Sequence, residues 1–488
     1  MVALLSWRRS AARHLAASLI VAMSLPIASA VAQEEGSSGQ GGRDVRTEAK
    51  PFQLYRWKED YSYLAGKPQL STWERLKYIP IAQSPEVWLS LGGEARYRLD
   101  RYAPYLFGLG KSGFDWASHQ ERMFQHFDLH LGRTFRTFVQ FDAAYEDGRP
   151  VQRAYDQSRP DVRQAFVDVV LPMGPGNVML RAGREELYLG DSRWLAVRDP
   201  TNLRRSFNGL LAEYDDPSLT LRVFAANPVN IQSGTFDDNT LGSEFFRGAY
   251  AVVREPLALP LTLDAYVYGR QQASVTYARG MAPEDRWSGG ARVAARHRGF
   301  ELTGEATYQW GSFGTSSISA FGAFGDFGYR FPRLDIFGQS AAPKLGLRAH
   351  YASGDDNLKG TTLHTFAGAY PAASVISEMS LLSASNVTNL QPYGQLFITS
   401  GLVLGANWNF VRKATTADAV YGPIGTQITA KGSASLDVAQ IGQIDMTWTI
   451  NRFLQLHALY AHVYAGDYIR AAGGRDFDYY RLQLMARW

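Results

Sequence analysis

The sequence contains no cysteine, and after residue 32 it contains no apolar run of about 20 residues. Without cysteine there is no disulfide framework, no Cys-ligated zinc or iron–sulfur site and no cysteine nucleophile. The chain does not fit a helical membrane protein, because each spanning helix needs about 20 apolar residues. A transmembrane β-barrel needs only short segments in which apolar and polar residues alternate, so that class stays open.

The sequence also has almost no excess of charge of either sign. Its 50 basic and 46 acidic residues give a formal net charge of +4. Residues 1–32 hold three of the basic residues and no acid, so the rest of the chain has a net charge of about +1. It has no lysine-rich block or basic tail, and we therefore expect no nucleic-acid partner.

Residues 1–32 have the pattern of a secretory signal peptide. Three arginines precede a short apolar stretch, Leu15–Ile27, and small residues then fit cleavage after Ala30 or Ala32. Residues 33–50 are polar and glycine-rich, which predicts a disordered linker. The mature protein is therefore expected outside the cytoplasm.

Residues 51–86 mix aromatic and charged side chains, among them Tyr55, Trp57 and Trp73. Thr72–Leu76 is compatible with a short helix. We interpret this stretch as a periplasmic N-terminal segment that packs against the rim of a barrel. The alternative is that it, or the segment 331–343, folds into the lumen and gates it.

From Val87 onward, apolar and polar residues alternate with a period of two, as in Val87–Asp100 and Glu301–Trp310. The predicted strands run to roughly 10–14 residues, whereas the usual mode is about 5–6. Their connections alternate between short and long. The short ones lie near 132–134, 172–177, 215–218, 254–260, 298–299, 331–343, 398–401 and 450–452. The long ones lie near 103–116, 147–161, 190–203, 227–243, 270–286, 353–384, 412–436 and 464–476.

Short turns on one rim and long loops on the other are typical of bacterial outer-membrane barrels. We therefore predict an all-β fold, a transmembrane antiparallel β-barrel of 18 ± 2 strands over residues 87–488. Its short turns are expected in the periplasm and its long loops outside the cell of a Gram-negative bacterium. A barrel of this width encloses an aqueous channel unless something fills it.

The last predicted strand ends in an aromatic residue, Trp488, preceded by apolar residues at every second position, including Tyr480, Leu482 and Leu484. This pattern resembles the recognition signal of outer-membrane barrel assembly. The expected partners are therefore the barrel-assembly machinery and outer-membrane lipid. The simpler interpretation is an ordinary amphipathic final strand.

If the apolar face of each strand meets lipid, the other face lines the lumen, since an arginine facing lipid at the midplane would cost about 2–4 kcal/mol. The pore-lining candidates are Arg96, Arg98, Arg136, Arg181, Arg205, Arg222, Arg292, Arg348, Glu94, Asp142 and Glu305. A guanidinium group can hold a carboxylate by two parallel hydrogen bonds, so such arginines suit uronate sugars. The alternative is that arginine–carboxylate pairs only brace the barrel wall.

The densest basic cluster surrounds one predicted loop. Its members are Arg181, Arg184, Arg193, Arg198, Arg204 and Arg205. We predict that Arg181 and Arg205 lie on neighbouring strands of one hairpin, near the outer half of the pore, and serve conduction. Arg184 is predicted to brace the loop.

Other polar groups give weaker signals. His126, Asp128 and His130 share one strand face, but three alternate positions span about 13 Å, so polar lining is expected rather than metal ligation. The sequence has no His-Glu-x-x-His or Gly-x-Ser-x-Gly motif. We expect no metal, no cofactor and no enzymatic activity, although a Ser/His site built across strands would leave no motif.

Several stretches resemble the alginate-export family of outer-membrane channels. They are Tyr55–Leu64, Thr72–Ile81, Trp88–Arg98, Leu180–Leu187, Val197–Leu210, Leu345–Asn357 and Tyr460–Arg470. The resemblance spans most of the mature chain, and it implies an eighteen-stranded barrel that conducts an acidic polysaccharide outward. Periplasmic export partners are then also expected. The alternative function is an uptake porin for small anions such as carboxylates, and the near balance of acids and bases keeps this alternative open.

Overall fold

The computed structural model describes residues 52–111, 113–150, 153–336, 338–372, 374–422, 426–430 and 432–488. The predicted signal peptide, 1–32, and the predicted polar linker, 33–50, lie outside the described residues. Among the described residues, no helix is long and apolar enough to cross a membrane.

Within the described part of the chain, eighteen long strands form one antiparallel sheet. They are β1 Val87–Ala103, β2 Trp116–Leu131, β3 Phe135–Asp147, β4 Ser158–Met173, β5 Gly176–Glu185, β6 Phe207–Asp215, β7 Leu219–Asn230, β8 Glu244–Arg254 and β9 Leu261–Tyr277. They continue with β10 Gly280–His297, β11 Phe300–Phe313, β12 Ser316–Arg330, β13 Gln339–Ala352, β14 Val387–Phe397, β15 Leu402–Arg412, β16 Asp437–Asn451, β17 Leu454–Ala465 and β18 Phe477–Arg487.

The sheet closes on itself between the first and last strands. Each strand pairs with the next in sequence, and β1 also pairs with β18 from Glu94 opposite Arg487 to Ala103 opposite Asp478. Beyond this ladder, the main-chain N–H groups of Gly93 and Trp488 donate to each other's oxygens at 2.9 and 3.1 Å. The predicted eighteen-stranded barrel is confirmed.

The two faces of the strands differ as the alternation predicts. Along β1, the inward-facing Glu94, Arg96 and Arg98 are at most 3% exposed. On β18, the outward-facing Leu482 and Leu484 are 47% and 38% exposed. Because an arginine facing lipid is costly, the charged residues fix which face points inward.

The two rims of the barrel differ in connection length. One rim, here called the turn rim, carries the connections 132–134, 174–175, 216–218, 255–260, 298–299, 331–338, 398–401 and 452–453. The other, the loop rim, carries 104–115, 148–157, 186–206, 231–243, 278–279, 314–315, 353–386, 413–436 and 466–476. The predicted short turns all fall on the turn rim.

Two connections on the loop rim correct the sequence analysis. The predicted long loop 270–286 is wrong, because β9 and β10 continue to a two-residue connection at 278–279. Gln271 pairs with Asp285 and Gln272 with Glu284, so polar residues extend the ladder where the apolar alternation stops. The sequence analysis also did not predict the short connection 314–315. There β11 and β12 stay paired as far as Phe313 and Ser316.

Apolar residues of the loops pack inside the barrel. β5 and β6 have only 10 and 9 residues, so the connection 186–206, here called the inner loop, leaves the sheet early and enters the lumen. The connection 353–386, here called the long loop, meets it there. Leu195 forms a β-bridge with Tyr370, and the main chains of Trp194 and Ala196 each hydrogen-bond that of Tyr370 at 2.9 Å. Trp194, Leu195, Phe366 and Tyr370 belong to one buried cluster.

The described residues also form two short α-helices and five 3-10 helices of three or four residues. Helix α1, Thr72–Lys77, precedes the barrel and has a capping box in which Ser71 and Glu74 exchange hydrogen bonds. Helix α2, Asp467–Ala471, lies between β17 and β18.

Candidate functional site: the constricted lumen

The predicted pore-lining residues on the strands all face the barrel interior. They are Arg96, Arg98, Arg136, Arg181, Arg222, Arg292, Arg348, Glu94, Asp142 and Glu305. They do not form one ladder. The inner loop covers some of them, the N-terminal segment covers others, and a third group remains accessible on the opposite wall.

Arginines of β1 and β2 hold the inner loop against the wall. Arg96 donates to the main-chain oxygens of Asp199 and Thr201 at 2.9 and 2.6 Å. Arg98 donates to that of Pro200. Arg122 forms ion pairs with Glu94 and with Asp199, the latter at 3.1 Å. These guanidinium donors already bond to groups of the protein and are therefore not available to a solute.

Arg204 is the centre of the inner loop and is 1% exposed. Its Nε lies 2.6 Å from Asp199 Oδ1, and its Nη1 lies 3.8 Å from Glu186. Burial alone would raise the pKa of Asp199, but Arg204 and Arg122 lower it well below its usual range. Burial raises the pKa of Glu186 to about 7, and Arg204 offsets only part of that rise. Of the two carboxylates beside Arg204, Asp199 therefore stays charged and Glu186 has a pKa near neutrality.

Arg181 is buried and paired. It holds Asp168 by two hydrogen bonds of 2.7 and 2.8 Å, the bidentate geometry typical of guanidinium and carboxylate. Its guanidinium carbon lies 3.7 Å from the centre of the Phe166 ring and 4.5 Å from that of Trp57. This arrangement fits a structural brace, the alternative that the sequence left open.

The structure corrects the placement of Arg205. It lies in the inner loop, not on a strand, because β6 begins only at Phe207. Its N–H donates to the main-chain oxygen of Val197 at 2.7 Å, and its guanidinium lies 4.7 Å from the centre of the Tyr370 ring. Arg181 and Arg205 are therefore not partners on one hairpin.

Arg184 contacts a different loop from the one expected. It donates to the main-chain oxygen of Val162 at 2.7 Å, to Asn208 at 2.9 Å and to the main-chain oxygen of Asp238 at 3.1 Å. Asp238 belongs to the connection 231–243, between β7 and β8. Arg184 therefore ties that neighbouring connection to the barrel wall.

The N-terminal segment, residues 52–78, enters the lumen instead of packing on the rim as the sequence analysis favoured. Tyr55 stacks on Tyr188 of the inner loop, with ring centres 3.9 Å apart and planes 8° apart. Its hydroxyl lies 2.8 Å from that of Ser192. Arg136 donates to the main-chain oxygen of Trp57 at 2.5 Å. The aromatic residues that looked like a rim contact instead fill part of the channel.

The wall formed by β9 to β13 keeps accessible charge. Arg348 is paired with Asp326 at 2.8 Å, and its side chain is 38% exposed. Arg292 contacts Asp264 at 2.6 Å and Asp191 of the inner loop at 2.9 Å. Polar groups of both signs thus line this side of the lumen.

Arg193 stands between that wall and the inner loop. Its guanidinium lies 3.0 Å from the centre of the Phe324 ring and 3.6 Å from Glu305, its nearest carboxylate. Among the described residues, none accepts a hydrogen bond from its side chain. Burial lowers the pKa of Arg193 to about 10, and Glu305 compensates only in part. The sequence placed Arg193 in the basic cluster, but nothing in the sequence distinguished it from the other arginines of that cluster.

One group of carboxylates, at the connection 231–243, is close enough to share a metal ion. Oxygens of Asp161, Asp237 and Asp238 lie within 4.8 Å of one another. Asp161 already accepts from the main-chain N–H groups of Asp237 and Asp238 at 2.8 and 3.1 Å, and Arg163 pairs with Asp238 at 3.1 Å. These contacts account for the cluster as an anchor of the connection 231–243.

Comparisons with known proteins agree with this architecture. Residues 87–483 match the family described as alginate export. No curated protein shows significant sequence similarity to the chain.

Two solved structures from Pseudomonas aeruginosa are similar in fold. OccK5 (OpdH) superposes with a TM-score of 0.53 at 12% identity, over 82% of this chain and 97% of its own. OccK2 (OpdF) in complex with glucuronate gives the same TM-score and identity, over 82% and 96%. Identities this low establish the fold alone.

Proposed function

The chain belongs to the alginate-export family of outer-membrane proteins, and on this premise we propose that it conducts an anionic saccharide, an alginate-type exopolysaccharide, outward across the membrane. In this proposal the turn rim faces the periplasm and the loop rim faces the outside, as in bacterial outer-membrane barrels. The channel performs no chemistry of its own. The accessible charges of the lumen select the cargo.

The observation that carries the proposal is Arg193. Its side chain is half-buried, its nearest carboxylate is 3.6 Å away, and its Nε has no hydrogen-bond partner among the described residues. A carboxylate is the acceptor that best fits a planar guanidinium. Arg193 lies where the inner loop meets the long loop, so a solute in the lumen passes close to it. A polyuronate carries one carboxylate on each sugar. As the chain moves, the carboxylate of the next sugar can therefore take the place of the previous one at Arg193.

A second function, uptake of small anions such as carboxylates, is favoured by a different observation. The inner loop, the long loop and the N-terminal segment all occupy the lumen, which leaves less room for a polymer. The glucuronate in the OccK2 complex is a single sugar acid, and it is compatible with this alternative.

Planar-bilayer recordings of the purified protein test the proposal. We expect a reversal potential that indicates anion selectivity at low salt, and current block by oligouronates but not by neutral oligosaccharides of the same length. Block that strengthens with chain length supports polysaccharide conduction. Block by monomeric uronate alone supports the small-anion alternative, and cation selectivity contradicts both.

A further inference from the structure

A group of aromatic and basic residues lies inside the barrel near the turn rim. Its members are Tyr55, Trp57 and Lys58 of the N-terminal segment, Tyr188 of the inner loop and Arg222 of β7. We call it the aromatic patch. It exists only because the N-terminal segment enters the lumen, so no single stretch of sequence encodes it.

The rings of the patch are close together and partly exposed. Tyr55 and Tyr188 stack at 3.9 Å, and the Trp57 ring lies 6.3 Å from Tyr55 and 6.4 Å from Tyr188. All three residues are half-buried. Aromatic surface of this kind is unexpected in a lumen whose neighbouring inward groups are mostly charged. This aromatic surface is explained if the channel carries a solute that has an apolar face.

A lysine without an acidic partner adjoins the rings. Lys58 is exposed, and its Nζ lies 4.6 Å from the centre of the Tyr188 ring, 5.6 Å from Trp57 and 5.9 Å from Tyr55. Among the described residues, no carboxylate lies within ion-pair distance of it. Arg222, 5.8 Å from the Tyr188 ring, is already paired with Glu213. Lys58 is thus the unpaired cation of the patch.

A hydrogen-bond donor without a partner in the protein also indicates a ligand at the aromatic patch. The indole N–H of Trp57 is buried and has no hydrogen-bond acceptor among the described residues. A buried donor without a partner costs roughly 1–3 kcal/mol, so the site is better satisfied when an acceptor arrives.

We propose that the aromatic patch is a binding site for a uronate sugar, the first that a chain meets on entering from the turn rim. A sugar ring presents C–H groups on one face, which pack against aromatic rings. Its carboxylate and hydroxyl oxygens would accept from Lys58 and from the Trp57 indole. This proposal rests on the proposed function, since it names where the anionic cargo is first held.

The position of the aromatic patch supports its being the first site that a chain meets from the turn rim. Arg136, whose side chain holds the main-chain oxygen of Trp57, is the second residue of β3 after the turn 132–134. Arg193 lies deeper, because its guanidinium contacts Phe324, which is six residues from the turn-rim end of β12 at Arg330. A chain moving from the turn rim therefore passes the aromatic patch before it reaches Arg193.

The test uses the full-length protein in planar bilayers, with a defined mannuronate trimer added on the turn-rim side. Lys58→Gln removes the unpaired charge without touching a buried contact, and Trp57→Phe keeps an aromatic side chain but removes the indole N–H donor. Lys359→Gln, at an exposed lysine of the long loop, is the control for loss of one positive charge. We expect Lys58→Gln to raise the half-blocking concentration by about tenfold and Trp57→Phe by about threefold. The control should match the wild type, and block by a neutral trisaccharide should be unchanged throughout.

The outcomes separate the two proposals. If the wild type is anion-selective and blocked by the trimer, but Lys58→Gln and Trp57→Phe behave like the wild type, the aromatic patch is not a binding site and the proposed function stands. If the trimer fails to block the wild type, both proposals fail. If Lys359→Gln weakens block as much as Lys58→Gln, the effect is general electrostatics and the site is rejected.

Discussion

Arg56, near the start of the described chain, donates a hydrogen bond from Nη2 to the main-chain oxygen of Trp488 at 2.8 Å. Its Nη1 donates to the oxygen of Gly93 at 2.7 Å, and Lys77 reaches the same oxygen of Trp488 at 2.9 Å. Both cations are almost completely buried. The N-terminal segment therefore holds the seam at which β1 and β18 close the barrel.

This contact predicts that Arg56 stabilises the closed barrel. Arg56→Ala removes donors to two main-chain oxygens and leaves Glu59, its ion-pair partner at 2.8 Å, buried without that charge. Removing one partner of a buried pair costs about 3–5 kcal/mol. We expect the temperature at which the folded band is lost in heat-modifiability gels to fall clearly. Arg75→Ala, at an exposed position of α1, is the control and should behave like the wild type.

The proposed function assigns different roles to Arg193, which we expect to act in conduction, and to Arg181, which we expect to brace the wall. Arg193→Gln removes the charge of a side chain that makes no hydrogen bond among the described residues, so the barrel should assemble and its anion selectivity at low salt should fall. The effect should vanish at 1 M salt, where the Debye length is about 3 Å compared with about 30 Å at 0.01 M.

Arg181→Gln should give the opposite pattern. It leaves Asp168 buried without its bidentate partner, which costs about 3–5 kcal/mol. We expect lower thermal stability with little change in the reversal potential. A large shift of the reversal potential in Arg181→Gln, or none in Arg193→Gln, would contradict the division of roles.

The difference between these arginines marks what the sequence can predict. The period of two and the cost of charge in lipid determine strand number and facing, because both act locally along each strand. Whether an inward arginine meets water or a loop depends on contacts between distant segments, such as that of Arg96 with Thr201. Arg205 was expected on the strand that follows the loop, but its position is set by the packing of the inner loop on Tyr370. Entry of Tyr55 into the lumen is likewise invisible to any local pattern.

The selectivity of the channel should depend on pH. Partial loss of water around its ammonium group lowers the pKa of Lys58 to about 8, and Arg222 adds a like charge that acts in the same direction. Glu186 has its pKa raised to about 7 by burial. As pH rises from 6 to 9, Lys58 loses a positive charge and Glu186 gains a negative one. Both changes should lower anion selectivity.

Reversal potentials measured at pH 6, 7.5 and 9 in the same salt check this expectation. Lys58→Arg should weaken the dependence, since arginine stays protonated across this range. Glu186→Gln should remove the part of the pH dependence of the reversal potential that begins near pH 7. Selectivity that rises with pH, or a dependence that neither variant alters, would contradict the assignment.

The outward face of β18 gives a prediction about insertion. Tyr480, Leu482 and Leu484 point away from the lumen, and the Trp488 ring packs over Gly93, where an added Cβ would lie 2.4 Å from it. Leu484→Asp places a charge on the lipid face and interrupts the apolar alternation before Trp488. We expect outer-membrane levels of this variant to fall severalfold, measured by fractionation and immunoblotting. Gln483→Asp changes the adjacent residue, which faces the lumen, and it should assemble normally. Equal losses in both variants would mean that any new carboxylate on β18 is harmful, and that the outward apolar face has no special part in assembly.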